Sequence, residues 1–159
     1  MLETRTNRIL FVLTIFASVM LFGKWLTDNY GFAFNKSNSL PGKIYFLDKK
    51  PGALQKGDLV SFRLKNDKFY GNATMLKKII AMPGEIIMEP KKNLVVAGSK
   101  YLVRRDSSAD GRSIDLVKLP SIIPKSQYFV YTPHPKSYDS RYFGLIKDED
   151  ILARAYPLY

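Results

Sequence analysis

The chain has no cysteine among its 159 residues. Disulfides, zinc–thiolate sites and thiol nucleophiles are therefore excluded. It has one histidine, His134. A metal site built from several histidines is impossible, and a Ser-His-Asp triad would have to use this residue. His134 stands between two prolines in "TPHPKS" (132–137), which reads as a surface loop. Acids are scarce too: 14 Asp and Glu stand against 25 Lys and Arg, a formal charge of +11. Such an excess attracts nucleic acid, anionic lipid or acidic protein. The bases are dispersed, with doublets at Lys49-Lys50, Lys77-Lys78, Lys91-Lys92 and Arg104-Arg105. With no long block of one sign and no nucleic-acid-binding motif, no nucleic acid partner is expected. No repeat, low-complexity tract or linker divides the chain, and its length suits one domain.

One long apolar run is present, "ILFVLTIFASVMLFGKWL" (9–26). Residues 9–23 carry no charge, and only Thr14 and Ser18 are polar. Roughly 18 helical residues reach about 27 Å, enough to span a bilayer. Lys24 can snorkel to the interface, and Trp25 suits the headgroup belt. A cleaved signal peptide would need small residues just before the cut. "KWLTDNYGFAFNKS" (24–37) offers no such site, so an uncleaved anchor is expected. Arg5 and Arg8 precede the run; Lys24, Asp28 and Lys36 follow it. This bias favours an N-terminus in the cytoplasm. The expected division is a cytoplasmic segment 1–8, an anchor 9–26 and an extracytoplasmic domain 27–159. Tyr30, Phe32 and Phe34 either dip into the interface or pack on that domain.

Beyond the anchor the pattern is mostly strand. Segments 43–47, 58–64, 77–82, 85–89, 93–98, 100–105 and 127–132 are short and rich in Val, Ile, Tyr and Phe. Pro and Gly punctuate them at "LPGK", "KKPGAL", "MPGE" and "TPHP". The expected fold is mainly β, a sandwich or barrel. A helical turn is expected at 147–152, where "KDEDIL" concentrates acids.

Three segments could carry chemistry. In "NKSNSLPGKIY" (35–45), Ser37 and Ser39 lie two apart, and Pro41-Gly42 fixes a turn that can present a hydroxyl. In "LKKIIAMPGE" (76–85), two lysines open an apolar strand. Strand neighbours face opposite sides, so one of Lys77 and Lys78 points inward. An amine held against an apolar face loses solvation and its pKa falls. A neutral lysine can then act as general base to a serine hydroxyl. In "SYDSRYFG" (137–144), Ser137, Asp139 and Arg141 share one face if the backbone is extended, and Tyr138, Ser140 and Tyr142 the other. Each segment also has a plain structural reading: a loop, two solvated ammonium groups, and an ion pair closing a turn.

Together and in order, the three segments resemble the type I signal peptidases, membrane-anchored serine peptidases with a Ser-Lys dyad. Ser37-Asn38-Ser39-Leu40-Pro41 resembles their nucleophile motif, and Gly57-Asp58-Leu59-Val60 the strand that follows it. Residues 77–85 resemble their lysine box, with Ala81 where Gly is usual and Glu85 where Asp is usual. Residues 137–144 match their last box throughout. The single anchor, the "SLP" and "SRYFG" segments, "ADGR" (109–112) and the "AYPL" tail (155–158) are similar to the conjugative-transfer, TraF-type branch. The "TPHPK" stretch also departs from the general branch, so its substrate preference does not carry over.

The resemblance implies a compact signal-peptidase-like β-sheet or barrel catalytic domain behind one transmembrane helix. It implies Ser39 as nucleophile and Lys77 as base. Ser137 would orient the amine, and the Ser39 N–H and Ser37 hydroxyl would form the oxyanion hole. Asp139 and Arg141 would support the loop. Spacing alone leaves Ser37 open as the nucleophile. No cofactor or metal is expected. The implied partners are a precursor with a signal peptide, such as a pilin, and membrane lipid. The implied location is the bacterial inner membrane, with the catalytic domain on the periplasmic side. A non-catalytic, membrane-anchored assembly factor of a conjugation or secretion apparatus is the alternative. A self-cleaving regulator would carry a helix-turn-helix and an Ala-Gly or Cys-Gly site, and neither is present.

Overall fold

The computed structural model describes residues 2–35, 39–90, 93–100, 104–105, 107, 111–114, 116–134 and 136–158. Helix α1 spans Leu2–Asn29. It extends beyond the expected anchor at both ends because no proline interrupts the first 40 residues. Its 28 residues make a rod of about 42 Å. One stretch of it, Thr4–Asn29, is long and apolar enough to cross a membrane. Leu10, Phe11, Phe16 and Leu21 are all more than half exposed. An apolar surface all round a helix suits lipid rather than a one-sided core contact. Within it, the Thr14 hydroxyl donates to the Leu10 carbonyl and the Ser18 hydroxyl to that of Thr14, so both are satisfied without water.

Ten strands follow: β1 Tyr30–Phe34, β2 Ile44–Asp48, β3 Leu59–Asp67, β4 Gly71–Ala81, β5 Ile87–Met88, β6 Val95–Val96, β7 Ser99–Lys100, β8 Gln127–Tyr131, β9 Ile146–Lys147 and β10 Ile151–Pro157. Helix α2 covers Ser140–Phe143, and a 3-10 turn covers Asp148–Asp150. Seven strands form one antiparallel sheet in the order β1-β2-β10-β3-β4-β8-β9. β5, β6 and β7 form a small second sheet. The fold is mainly β, as expected from the sequence.

Three strands differ from expectation by being there at all. β1 is aromatic but Gly-interrupted, β9 has two residues, and β10 reads "ILARAYP", poor in β-branched residues. β10 is nevertheless central, hydrogen-bonded to β2 on one side and β3 on the other. Tertiary pairing overrides its weak local propensity. The turn expected at 147–152 is shorter, because Ile151 already begins this strand. β4 begins six residues earlier than the segment 77–82. Of the segment 100–105, residues 101–103 lie outside the described residues.

Alternation along β8 divides the core. Tyr128 and Val130 pack with Val60, Phe62, Ile79 and Ile146; Phe129 and Tyr131 pack with Ala81, Ile87, Leu94, Val96 and Ile123. A third cluster, Leu40, Tyr45 and Ala155, lies beside the turn that carries Ser39.

Candidate active site

β4 pairs with β3 along Leu59↔Lys78 to Leu64↔Ala73, but with β8 only from Lys78 onward. No strand pairs with its other edge before Lys78 among the described residues. The cleft opens beside that unpaired edge. It has a volume of about 580 Å³, and Ser39, Lys77 and Ser137 all line it. Ala33, Phe34 and Asn35 of the β1 end form another part of its wall.

Strand alternation separates the two lysines. Lys77 is 6 % exposed, whereas Lys78 is exposed. Ile79 and Ala81, which follow at the same parity as Lys77, are fully buried. The Lys77 Nζ–H donates to Ser137 Oγ at 3.0 Å. Burial pushes the Lys77 pKa down from its ordinary 10.5; Asp139 opposes this and Arg141 adds to it. Desolvation wins because the nearby carboxylate is already paired with a guanidinium.

Ser39 is half-buried and sits at the start of a tight turn. Leu40 is buried and pins the turn to the third cluster. The Asn35 side-chain amide donates to the carbonyls of Leu40 at 3.1 Å and Gly42 at 3.3 Å. The Tyr45 hydroxyl, on a fully buried ring, donates to the Pro41 carbonyl. Gly42 has φ +83°, a conformation that glycine adopts without steric cost. Asn35 and Tyr45 escaped the sequence reading; only their place at either end of "NKSNSLPGKIY" hinted at them. Ser37 lies outside the described residues.

Asp139 is extended but Ser140–Phe143 form helix α2, so the alternation expected for an extended backbone breaks down from Ser140 onward. Asp139 caps α2 and accepts from the Arg141 backbone N–H, so Arg141 curls back onto it. The guanidinium donates from Nε to Asp139 Oδ1 at 2.8 Å and from Nη2 to Oδ2 at 3.0 Å. A further bond from Nη2 reaches the Ser137 carbonyl at 3.1 Å. Tyr131 and Tyr142 flank the guanidinium at 4.9 and 5.2 Å from their ring centroids. The pair is almost wholly buried and holds the backbone of Ser137. Ser140, expected on an opposite face, instead accepts from the Val130 N–H at 2.9 Å and ties the loop to β8. Gly144 ends the helix at φ +91°, ψ −159°, a region essentially restricted to glycine.

Lys77, Ser39 and Ser137 thus converge, and Asp139 and Arg141 stand behind Ser137. His134 does not line the cleft; its Nδ1 accepts from the Lys136 N–H at 3.2 Å. Glu85, at the position where the lysine box usually has Asp, accepts from the Met82 N–H at 2.7 Å and closes the Pro83-Gly84 turn. The sequence reading also missed Ser61, Tyr70 and Tyr138 as cleft residues.

The arrangement bonds a desolvated amine to a buried hydroxyl and places a second serine in the same cleft. That set of groups can perform base-assisted attack by a serine hydroxyl. Comparison with known proteins gives the family. The family model described as "Signal peptidase, peptidase S26" matches residues 5–159. A "Conjugal transfer protein TraF" of Agrobacterium fabrum is 25% identical over 81% of this chain and 82% of its own length. A "Signal peptidase IB" of Staphylococcus aureus is 30% identical over 70% of this chain and 63% of its own length. A solved signal peptidase I of Enterococcus faecalis overlays 66% of this chain and 98% of its own, at 21% identity and a TM-score of 0.44. The family match runs through all three motif segments and nearly the whole chain, and on it the chain belongs to the signal peptidase family, peptidase S26.

Proposed function

We propose that this chain is a membrane-anchored serine endopeptidase that uses a Ser39–Lys77 dyad to remove leader peptides from exported precursors. One observation carries the reading: Lys77 is buried and bonded to Ser137 in the cleft that Ser39 also lines. A lysine kept neutral by burial can take a proton; a solvated one is almost wholly charged at neutral pH.

The Ser39 hydroxyl attacks the scissile carbonyl while Lys77 Nζ takes its proton. The tetrahedral oxyanion is held by the Ser39 N–H and the Ser37 hydroxyl. On collapse the C–N bond breaks, and Lys77 gives its proton to the leaving amine. Water then attacks the Ser39 ester while Lys77 Nζ accepts its proton; the acyl C–Oγ bond breaks, Lys77 returns the proton to Ser39 Oγ, and the acid product leaves. Ser137 orients the Lys77 amine throughout. Asp139 and Arg141 hold Ser137 and do not react.

The substrate binds as an added strand along the edge of β4 before Lys78, where backbone groups have no strand partner among the described residues. α1 anchors the chain in the inner membrane with its N-terminus in the cytoplasm, and residues 27–159 lie on the periplasmic side. Phe22, Trp25, Tyr30, Phe46 and Tyr156 form a run of ring contacts from the helix to the sheet. Phe32 and Phe34 beside it are 64 % and 72 % exposed and meet the lipid interface. Similarity to a conjugal transfer protein supports an exported component of a transfer apparatus as substrate, and a pilin-type precursor is the one proposed.

The test is processing of a co-expressed pilin-type precursor in membranes by wild type, Ser39→Ala and Ser37→Ala. Loss with Ser39→Ala and residual cleavage with Ser37→Ala supports these roles. The reverse result moves the nucleophile to Ser37. No cleavage by wild type favours a non-catalytic assembly factor.

A further inference from the structure

The β3–β4 hairpin tip is absorbed by none of these roles, yet it reaches the cleft. Tyr70, at the tip, is 55 % exposed and lines the cleft together with Ala73 and Met75. Tyr138, the neighbour of Ser137, also lines it. The Tyr138 phenol donates to Asp67 Oδ2 at 2.8 Å. The other oxygen of Asp67 accepts the N–H groups of Phe69 and Tyr70, each at 2.8 Å. One carboxylate thus fixes the tip's backbone and joins it to the loop that holds Lys77. Tyr138 also packs its ring on Tyr70 at 5.2 Å and on Phe69 at 5.6 Å, with Tyr142 stacked behind it. Arg112 covers the Phe69 ring at 4.8 Å. So much bracing around an exposed tyrosine is more than a hairpin turn needs.

We propose that Tyr70 is a distal substrate subsite, held in place by Tyr138 and Asp67, which grips an apolar residue of the bound peptide away from the cut. The inference rests on the peptidase reading above. The Tyr70 ring lies 5.2 Å from that of Tyr138, the chain neighbour of Ser137. An extended peptide advances about 3.3 Å per residue, so the gripped residue lies roughly three to five positions from the scissile bond. An exposed phenol ring that lines the cleft with Ala73 and Met75 offers apolar surface, which favours an aliphatic or aromatic side chain there. Tyr70 contacts substrate; Asp67 and Tyr138 are positioning residues.

The experiment uses the full-length protein in detergent micelles and two fluorogenic peptides with the same small residues at the cut. The long peptide carries leucines three to five positions away on both sides; the short one ends two residues from the cut. Wild type prefers the long peptide. In Tyr70→Ala the long-to-short ratio of kcat/KM falls about tenfold, chiefly through KM, and Tyr70→Phe restores it. Tyr138→Phe, which keeps the ring but loses the bond to Asp67, moves the ratio the same way by less. An unchanged ratio in Tyr70→Ala overturns the subsite. If wild type cleaves neither peptide, the peptidase reading fails by itself. The subsite is then judged by fluorescence anisotropy of the labelled long peptide: weaker binding to Tyr70→Ala than to Tyr70→Phe supports it, and equal binding overturns it.

Discussion

Lys77 and Ser137 are sixty positions apart in the chain, and their side chains meet at 3.0 Å with both residues buried. β4 supplies the amine and the loop after β8 supplies the hydroxyl. Removing that hydroxyl leaves the amine in place but unaimed. Ser137→Ala should lower kcat by about 10- to 100-fold, the worth of one hydrogen bond to a group that charges during reaction. Ser137→Thr should recover part of the loss. Single-turnover cleavage by the two variants checks this.

Burial of Lys77 gives a pH signature. Its folded pKa lies below 10.5, so between the two values the unfolded chain binds more protons than the folded one. Stability from this group therefore rises with pH across that window. Activity rises through the same folded pKa as the amine becomes neutral, and then levels. Lys77→Met, which removes the desolvated amine but keeps its stem, should abolish cleavage and raise Tm at neutral pH. Thermal melts and pH–rate profiles read both effects.

Asp139 and Arg141 should matter through stability. Both are almost wholly buried, so removing one partner strands the other charge. Asp139→Ala or Arg141→Ala should cost about 3–5 kcal/mol, measured by urea unfolding of the full chain in micelles. Activity of the fraction still folded should fall too, because the Arg141 bond to the Ser137 carbonyl is lost.

The last strand closes the middle of the sheet. β10 lies between β2 and β3, so a chain ending at residue 150 exposes two interior strand edges. Such a truncation should abolish folding rather than trim a tail. Limited proteolysis of the membrane-inserted protein should show a resistant domain in the full chain and none in the truncated one.

Much of this was legible in the sequence where local chemistry decides. A run of apolar residues without proline can only be helix in lipid, and Lys77-Lys78 before "IIA" had to split across a strand. The three motif segments carried the family because each keeps its residue types in order. What stayed hidden depends on partners distant in the chain. β10 is a strand because of its neighbours, not its residues. Asp67 and Tyr138 are 71 positions apart, and nothing local ties them. Asp139 and Arg141 pair as their spacing suggests, but through a helical turn that Asp139 caps rather than across a strand face.

The most direct measurement compares Lys77→Ala with Lys78→Ala in the membrane processing assay, with insertion and folding verified for both. The dyad predicts a loss of about 10²-fold or more for Lys77→Ala, the scale of a general base. It predicts near-normal processing for Lys78→Ala, whose side chain points to solvent. Normal processing by folded Lys77→Ala would contradict it.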